Sequence, residues 1–200
     1  MILILPSQKL TGYPLIRFFT TFDHKEIVDP SLFILILSDS FRQHISLLFS
    51  TINRSSDTLN ELFFHLWPNA YKNRNSALCK QLLESGDATL YFADEKERGF
   101  IDSLQFTADN EMISWKADQV HEDICLLQLK KPLLPGNKVI IRTPFYVKLP
   151  SASISRLGHL GQAYAITQWY PKPAVYDNQD GMRCPILHSE NFIQSMEVLR

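Results

Sequence analysis

The 200-residue chain lacks the features that would place it among disulfide-rich, nucleic-acid-binding or membrane-spanning proteins. Its cysteines, Cys79, Cys125 and Cys184, lie too far apart for a disulfide framework or for the paired C-x-x-C of a structural zinc site. We interpret them as free, mostly buried thiols. The formal net charge is -1, so the chain has no basic excess to attract a phosphate backbone. We expect no nucleic-acid partner.

Long apolar runs are also absent. The opening MILILPSQKL is interrupted by Pro6 and lacks the charged region, apolar core and cleavage site of a secretory signal. No stretch approaches the ~20 apolar residues of a membrane helix. We therefore expect a soluble chain without a membrane span, and its compartment stays open. Internal repeats and low-complexity tracts are missing too.

The composition, 45% hydrophobic and 12% aromatic, is enough for one core and favours a single domain. Two β-rich runs, SLFILILSD and HISLLFSTIN, predict a hairpin, and TLNELFFHLWP predicts a strand that ends before Pro68. One short surface helix is predicted over residues 75–85. Asn75 is its expected cap, and Gly86 suits the position just after its end.

Short runs bounded by turn residues continue after the helix: ATLYFAD, GFIDSLQFTAD, EMISWKAD, DICLLQLKK and NKVIIRTPFYVKL. Asp109 with Asn110, and Pro135 with Gly136, mark the expected turns. The last run alternates, with Val139, Ile141 and Thr143 on one face and Ile140, Arg142 and Pro144 on the other. The predicted fold is mainly β, either a sandwich or a curved antiparallel sheet.

Two segments are distinctive: FFHLWPNAYKNRNSAL at 63–78 and SRLGHLGQAYAITQWYPKPAVYDN at 155–178. With ERGFIDSLQF and KPLLPGNKVIIRTPFYVKLP, they resemble the amino-terminal domain of the aminopeptidase N-like zinc metallopeptidases, the gluzincin aminopeptidases. The resemblance is specific over 53–178, weaker over 32–52 and absent from the first thirty residues. It divides the chain into an unassigned segment at 1–30, a β-domain at 31–178 and an aberrant tail at 179–200.

The resemblance implies a saddle-shaped, mostly antiparallel β-domain that packs against a thermolysin-like catalytic domain, which would be its partner. In that family the zinc is held in the catalytic domain by H-E-x-x-H and a later Glu, so no cofactor is expected in this chain. A peptide substrate is expected only in that context. The nearest string here begins His121, Glu122 but has Cys125 where the second His should stand. It also leads into a strand-like run, so we reject it as a metal site.

Site residues also follow from the resemblance. A polar side chain just after the G-H-x-G-Q stretch helps the family to hold the substrate's amino end. Gln162 or Gln168 could fill that role, with a purely structural role as the alternative for each. The resemblance places an aromatic, proline-stiffened segment where the chain crosses to the catalytic domain. We expect its side chains to form an exposed apolar patch there, with a sugar platform as the alternative: Trp169, Tyr170, Pro171, Pro173 and Tyr176.

Other residues have simpler interpretations. We expect Trp67 in the core and His65 as a hydrogen-bonded structural residue. Gly158 and Gly161 would allow the backbone to approach either a substrate or a neighbouring domain closely. We interpret Lys96, Glu97 and Arg98 as a solvated turn.

After Asn178 the resemblance stops, although the family continues with G-W-H-x-M-P-Y and G-x-F-Y-S-E-Y-G. Restoring one G after the Gln179 codon allows a reading that carries these signatures. Residues 180–200 are therefore hypothesised to be out-of-frame translation, expected to pack poorly and to be cut readily after Arg183.

Two hypotheses for the function result. The first is a non-catalytic amino-terminal β-domain of an aminopeptidase-like zinc peptidase, truncated before its catalytic domain and inactive alone. The second is a stand-alone β-sandwich module that binds peptide or carbohydrate through Trp169 and Tyr170. The compartment stays unknown, although members of the family are often exported or membrane-associated.

Overall fold

The computed structural model describes residues 28–39, 42–155, 158–160, 163–165, 169–174 and 176. Its described part is mainly β, and every strand pairing is antiparallel, which confirms the predicted fold class. Of the two alternatives, the arrangement is sandwich-like. The strands are β1 Val28–Asp39, β2 Arg42–Asn53, β3 Leu59–His65, β4 Phe100–Asp102, β5 Thr107–Ala108, β6 Glu111–Met112, β7 Ser114–Ala117, β8 Ile124–Leu133, β9 Lys138–Lys148, β10 Gly158–Leu160, β11 Ala163–Ala165 and β12 Lys172–Pro173.

The larger sheet is built around β9. One side of this strand pairs with β2, and its other side pairs with β5 and β4 in turn. β1 pairs with β2 along its whole length, so the predicted hairpin is confirmed. The second sheet has the order β12-β3-β8-β7, and β10 and β11 form a separate hairpin.

The core lies between the two larger sheets. The alternation of β9 is confirmed, because Val139, Ile141 and Thr143 are buried whereas Arg142 is exposed. Aromatic rings join the layers: Phe49 of the larger sheet meets Phe64 of the smaller one with ring centroids 6.0 Å apart. Such edge-to-face pairs stabilise a core beyond the area that they bury.

Two predicted turns are confirmed, and each depends on a left-handed backbone. Asp109 and Asn110 have φ of 48° and 71° and join β5 to β6, as a two-residue hairpin turn of this twist requires. Gly136, with φ of 77°, lies in the turn between β8 and β9. That turn carries the chain from the smaller sheet to the larger one.

The predicted helix is present as α1, Ala77–Glu84, but its cap is Ser76 and not Asn75. The Ser76 hydroxyl accepts a hydrogen bond from the Cys79 amide at 3.1 Å, because its backbone is extended there and the side chain can reach back. Gly86 follows the helix with φ of 87°, as expected. Its amide donates to Leu83 O at 3.0 Å in a Schellman-type end.

The expectation of a strand at ATLYFAD is wrong. Residues Thr89–Phe92 form the short helix α2, in which the amides of Phe92 and Ala93 donate to the carbonyls of Ala88 and Thr89. Leu90 alone of the four is buried, so the helix contributes one side chain to the core. Across the described residues, neither α1 nor α2 has the length and apolar character that a membrane-crossing helix needs.

Candidate functional site

The two distinctive segments of the sequence meet at one end of the smaller sheet. We call this region the motif junction and define it by the end of β3 (Phe63, Phe64 and His65), the 3-10 helix Trp67–Tyr71 and residues 169–174. Its geometry decides which of the expected site residues face solvent and which support the core.

The 3-10 helix begins directly after β3, with Pro68 in its first turn. Proline suits this position because it lacks an amide proton and its φ is already close to the helical value. All five residues of the helix are buried, so the core position expected for Trp67 is confirmed.

Asn69 is a buried amide that joins three chain segments. Its Oδ1 accepts from the Ile101 amide at 2.8 Å, and its Nδ2 donates to Glu122 O at 3.2 Å. The side chain therefore satisfies backbone groups at the edge of β4 and in the turn before β8. The sequence interpretation missed this role, although one polar residue inside the otherwise apolar W-P-N-A-Y run was the available signal.

The string from His121 to Cys125 forms a turn followed by β8, as its rejection as a metal site assumed. Asp118 Oδ1 accepts from the His121 amide at 2.8 Å. Cys125 is fully buried, and burial raises the pKa of its thiol to about 12. A thiolate ligand is therefore disfavoured here. Within the described ranges, no group of three or more His, Cys, Asp or Glu side chains could hold a metal ion.

Residues 169–174 return to the smaller sheet and add its edge strand. Lys172 and Pro173, which form β12, pair with His65 and Phe64. The Ala174 amide donates to Phe63 O at 2.8 Å. The two distinctive segments are thus joined by backbone hydrogen bonds within one domain.

The expected exposed patch is wrong for Trp169, Tyr170 and Pro171, all of which are buried. The Trp169 ring lies 5.9 Å from that of Phe145 in β9, and Tyr170 meets Trp169 edge-on at 6.0 Å. The physical reason is that Trp169 and Tyr170 join the same cluster of buried apolar side chains as Phe145, which removes their rings from solvent. The alternative sugar platform fails for the same reason, because Trp169 is only 9% exposed.

Pro173 and Tyr176 are only partly buried, so contact with another domain stays a prediction for them. The Tyr176 hydroxyl donates to Asp57 Oδ2 at 2.5 Å, in the loop between β2 and β3. This hydrogen bond to a carboxylate raises the pKa of Tyr176. The contact holds residue 176 against the β-domain from a second direction.

Gly158 makes a close backbone approach, but its neighbour is the backbone of the same domain and not the expected substrate or neighbouring domain. A Cβ at Gly158 would lie 2.8 Å from Pro150 O and from the Ala152 amide nitrogen. Only glycine fits such a contact without a shift of the backbone. The two candidate substrate residues, Gln162 and Gln168, lie outside the described residues, as do Gly161, Cys184 and the hypothesised tail at 179–200.

The turn at Lys96 and Glu97 is confirmed, with Asp94 Oδ1 accepting from the amides of both residues. Arg98 is not simply solvated. It is partly buried, and its guanidinium donates to Ala93 O at 2.8 Å. Its charge is therefore held in one place beside the turn.

No family model, curated protein or solved structure matches the chain. The resemblance therefore depends on the sequence motifs alone.

Proposed function

We propose that this chain is the non-catalytic amino-terminal β-domain of an aminopeptidase-like zinc metallopeptidase. In this proposal it packs on a separate catalytic domain and helps to shape the site that holds the peptide substrate. The observation that carries the proposal is the motif junction, where segments far apart in the sequence are hydrogen-bonded to each other.

Contacts extend to the other motifs that carry the resemblance. Asn69 of the first distinctive segment binds the Ile101 amide of the ERGFIDSLQF motif. Gly158 of the second packs on Pro150, the last residue of the KPLLPGNKVIIRTPFYVKLP motif. Contacts of this kind join all four motifs.

The surface that remains for a catalytic domain is smaller than the sequence suggested. Trp169 and Tyr170 fill the domain's own core, so the contact would be made by the partly exposed residues around β12. Lys172, Pro173 and Tyr176 lie there. Because these two rings are buried, the support for a stand-alone sugar-binding module is also removed.

Partner binding is the direct test. The gene should be resequenced around the Gln179 codon, and any downstream frame that encodes H-E-x-x-H should be co-expressed with this chain. We expect a one-to-one complex that Lys172→Glu weakens by about tenfold, because the charge is reversed at the contact edge. Lys116→Glu is the matched control, since β7 is the opposite edge of the same sheet. An unbroken frame with no such sequence downstream would refute the proposal.

Catalysis by the chain alone is a second test. Purified protein should bind no stoichiometric zinc and should not hydrolyse an aminoacyl p-nitroanilide, because the family's metal ligands belong to the catalytic domain. Metal analysis after dialysis against zinc measures the binding, and release of p-nitroaniline measures the hydrolysis. A zinc aminopeptidase is the positive control for both measurements. Tight one-to-one zinc together with turnover would end this proposal.

A further inference from the structure

A basic pocket of about 380 Å³ opens on the surface beside α2 and the β4–β9 pair. Its volume lies within the range of small-molecule sites, roughly 300–1,000 Å³. Four cations, one carboxylate and one aromatic ring line it: Lys72, Lys96, Arg98, Lys148, Glu95 and Phe100.

Separate parts of the chain supply this lining. Lys72 follows the 3-10 helix, and Lys96 and Arg98 come from the turn after α2. Phe100 and Lys148 are direct partners in the antiparallel pairing of β4 with β9. The pocket is thus a product of the tertiary fold, because no local stretch of sequence contains more than two of its four cations.

Two of the cations are held in place by neutral acceptors. The Arg98 guanidinium donates to Ala93 O at 2.8 Å, and Lys148 Nζ donates to the carbonyl oxygen of Glu95. Carbonyl oxygens fix a side chain without cancelling its charge, so both positive charges remain available to a ligand.

The other two cations differ in their surroundings. Lys72 Nζ lies 3.6 Å from the Glu122 carboxylate. Lys96 is exposed and forms no ion pair with any part of the chain that the structure describes. The lining is therefore net positive in a chain whose formal charge is -1. Such a concentration of one sign attracts anions.

The type of cation indicates the kind of anion. Three of the four are lysines, which act as compact point charges, and Nη2 of the one guanidinium, Arg98, already donates to two backbone carbonyls. A planar carboxylate is best matched by a free guanidinium fork, whereas ammonium groups suit a phosphoryl group. A phosphate monoester carries about -1.5 to -2 charges at pH 7. Phe100 offers an apolar wall to the rest of such a ligand.

We propose that this pocket binds a small phosphate monoester, with the phosphoryl group between Lys96, Arg98 and Lys148 and its organic part against Phe100. This proposal does not depend on the function proposed above, because it uses only the charges and contacts of the pocket.

The test is a titration of the full chain, followed by amide NMR shifts at low ionic strength, with inorganic phosphate, phenyl phosphate and uncharged phenol. We expect saturable shifts at residues 94–100 and 148, tighter binding of phenyl phosphate than of phosphate, and no saturable binding of phenol. Added salt of about 0.3 M should weaken the binding, since the Debye length falls below 10 Å.

Variants of opposite sign make the test specific. Lys96→Gln should weaken phenyl phosphate binding by about threefold or more, and Glu95→Gln should tighten it by a similar factor, as expected for single charges at a solvated site. Lys80→Gln, an exposed lysine on α1, is the matched control and should change the affinity less than about twofold.

Three results would overturn the proposal. The first is that neither phosphate compound gives a saturable shift. The second is an adventitious ion only, shown by equal losses of phenyl phosphate affinity in Lys96→Gln and Lys80→Gln. The third is that a phosphoserine peptide binds more tightly than phenyl phosphate. The last result would assign the pocket to a phosphorylated protein and not to a small molecule. Chemical shifts outside the pocket report whether each variant is folded.

Discussion

Buried polar side chains hold distant segments of this domain together. Asn53, completely buried, donates from Nδ2 to Leu133 O at 2.9 Å and to Asp57 O at 2.7 Å. It thereby ties the loop after β2 to the end of β8. Asn69 plays the same part at the motif junction. Each side chain satisfies backbone groups that would otherwise be buried without a partner, which costs about 1–3 kcal/mol per group.

We expect Asn69→Ala to lower the free energy of unfolding by about 2–4 kcal/mol, because the Ile101 amide and Glu122 carbonyl both lose a partner. Urea unfolding followed by far-UV circular dichroism measures the change. Asn60→Ala, at an exposed position of β3, is the control and should stay within about 0.5 kcal/mol of the wild type. Equal effects of the two substitutions would contradict the bridging role of Asn69.

The buried thiol of Cys125 predicts a pH dependence of stability. Burial raises its pKa from 9.0 to about 12, so the folded protein keeps the proton that the unfolded chain loses first. The contribution of this group to stability is therefore complete below pH 9 and is lost as the pH rises from there toward 12. The loss is at most about 1.4 kcal/mol per pH unit.

Cys125→Ala removes this dependence, so the stability advantage of the wild type over the variant should shrink between about pH 8 and pH 10.5. Urea unfolding of both proteins at the two pH values provides the comparison. The substitution also leaves a small cavity, which lowers stability equally at either pH. Parallel pH profiles for the two proteins would show that Cys125 does not titrate in this way.

Among the elements, α1 shows where local sequence was a good guide and where it was not. Its position and its Gly86 end followed from spacing and composition. The cap did not, because Asn75 and Ser76 are adjacent and both residue types cap helices well. Packing decided between them: Ser76 is buried next to the first turn, whereas Asn75 is exposed.

Ser76→Ala should therefore destabilise the domain by about 1 kcal/mol, the usual cost of a lost helix cap. Asn75→Ala should change the free energy of unfolding by less than about 0.5 kcal/mol, because the Asn75 side chain is exposed. Chemical denaturation of the two variants measures this difference. The opposite order of effects would restore Asn75 as the cap.

For the whole molecule, the most consequential contact is made by residues late in the chain. Trp169 and Tyr170 pack into the same core as Phe145 of β9. Residues that the sequence suggested for contact with another domain thus stabilise this one. A partner domain would meet a surface whose aromatic rings already have neighbours.

Trp169→Ala should lower the free energy of unfolding by about 3–5 kcal/mol, as for other large-to-small changes in a core. Trp115→Ala is the matched control, since this ring is 37% exposed on β7 and should cost less than half as much. Far-UV circular dichroism follows both unfolding curves. An unchanged stability of Trp169→Ala would mean that the ring faces outward, as the apolar-patch hypothesis required.

The sequence alone determined the fold class, the β1–β2 hairpin, the turns at Asn110 and Gly136, and the position of α1. These features depend on the spacing of apolar residues along the chain, and on the residue types and backbone preferences of a few neighbouring positions. The inward packing of Trp169 and the assembly of Lys96 and Lys148 in one pocket were decided by tertiary structure. They depend on which distant segments become neighbours. The sequence gives the type of an aromatic or charged residue, but it does not say whether that side chain contacts the core, a partner or a ligand.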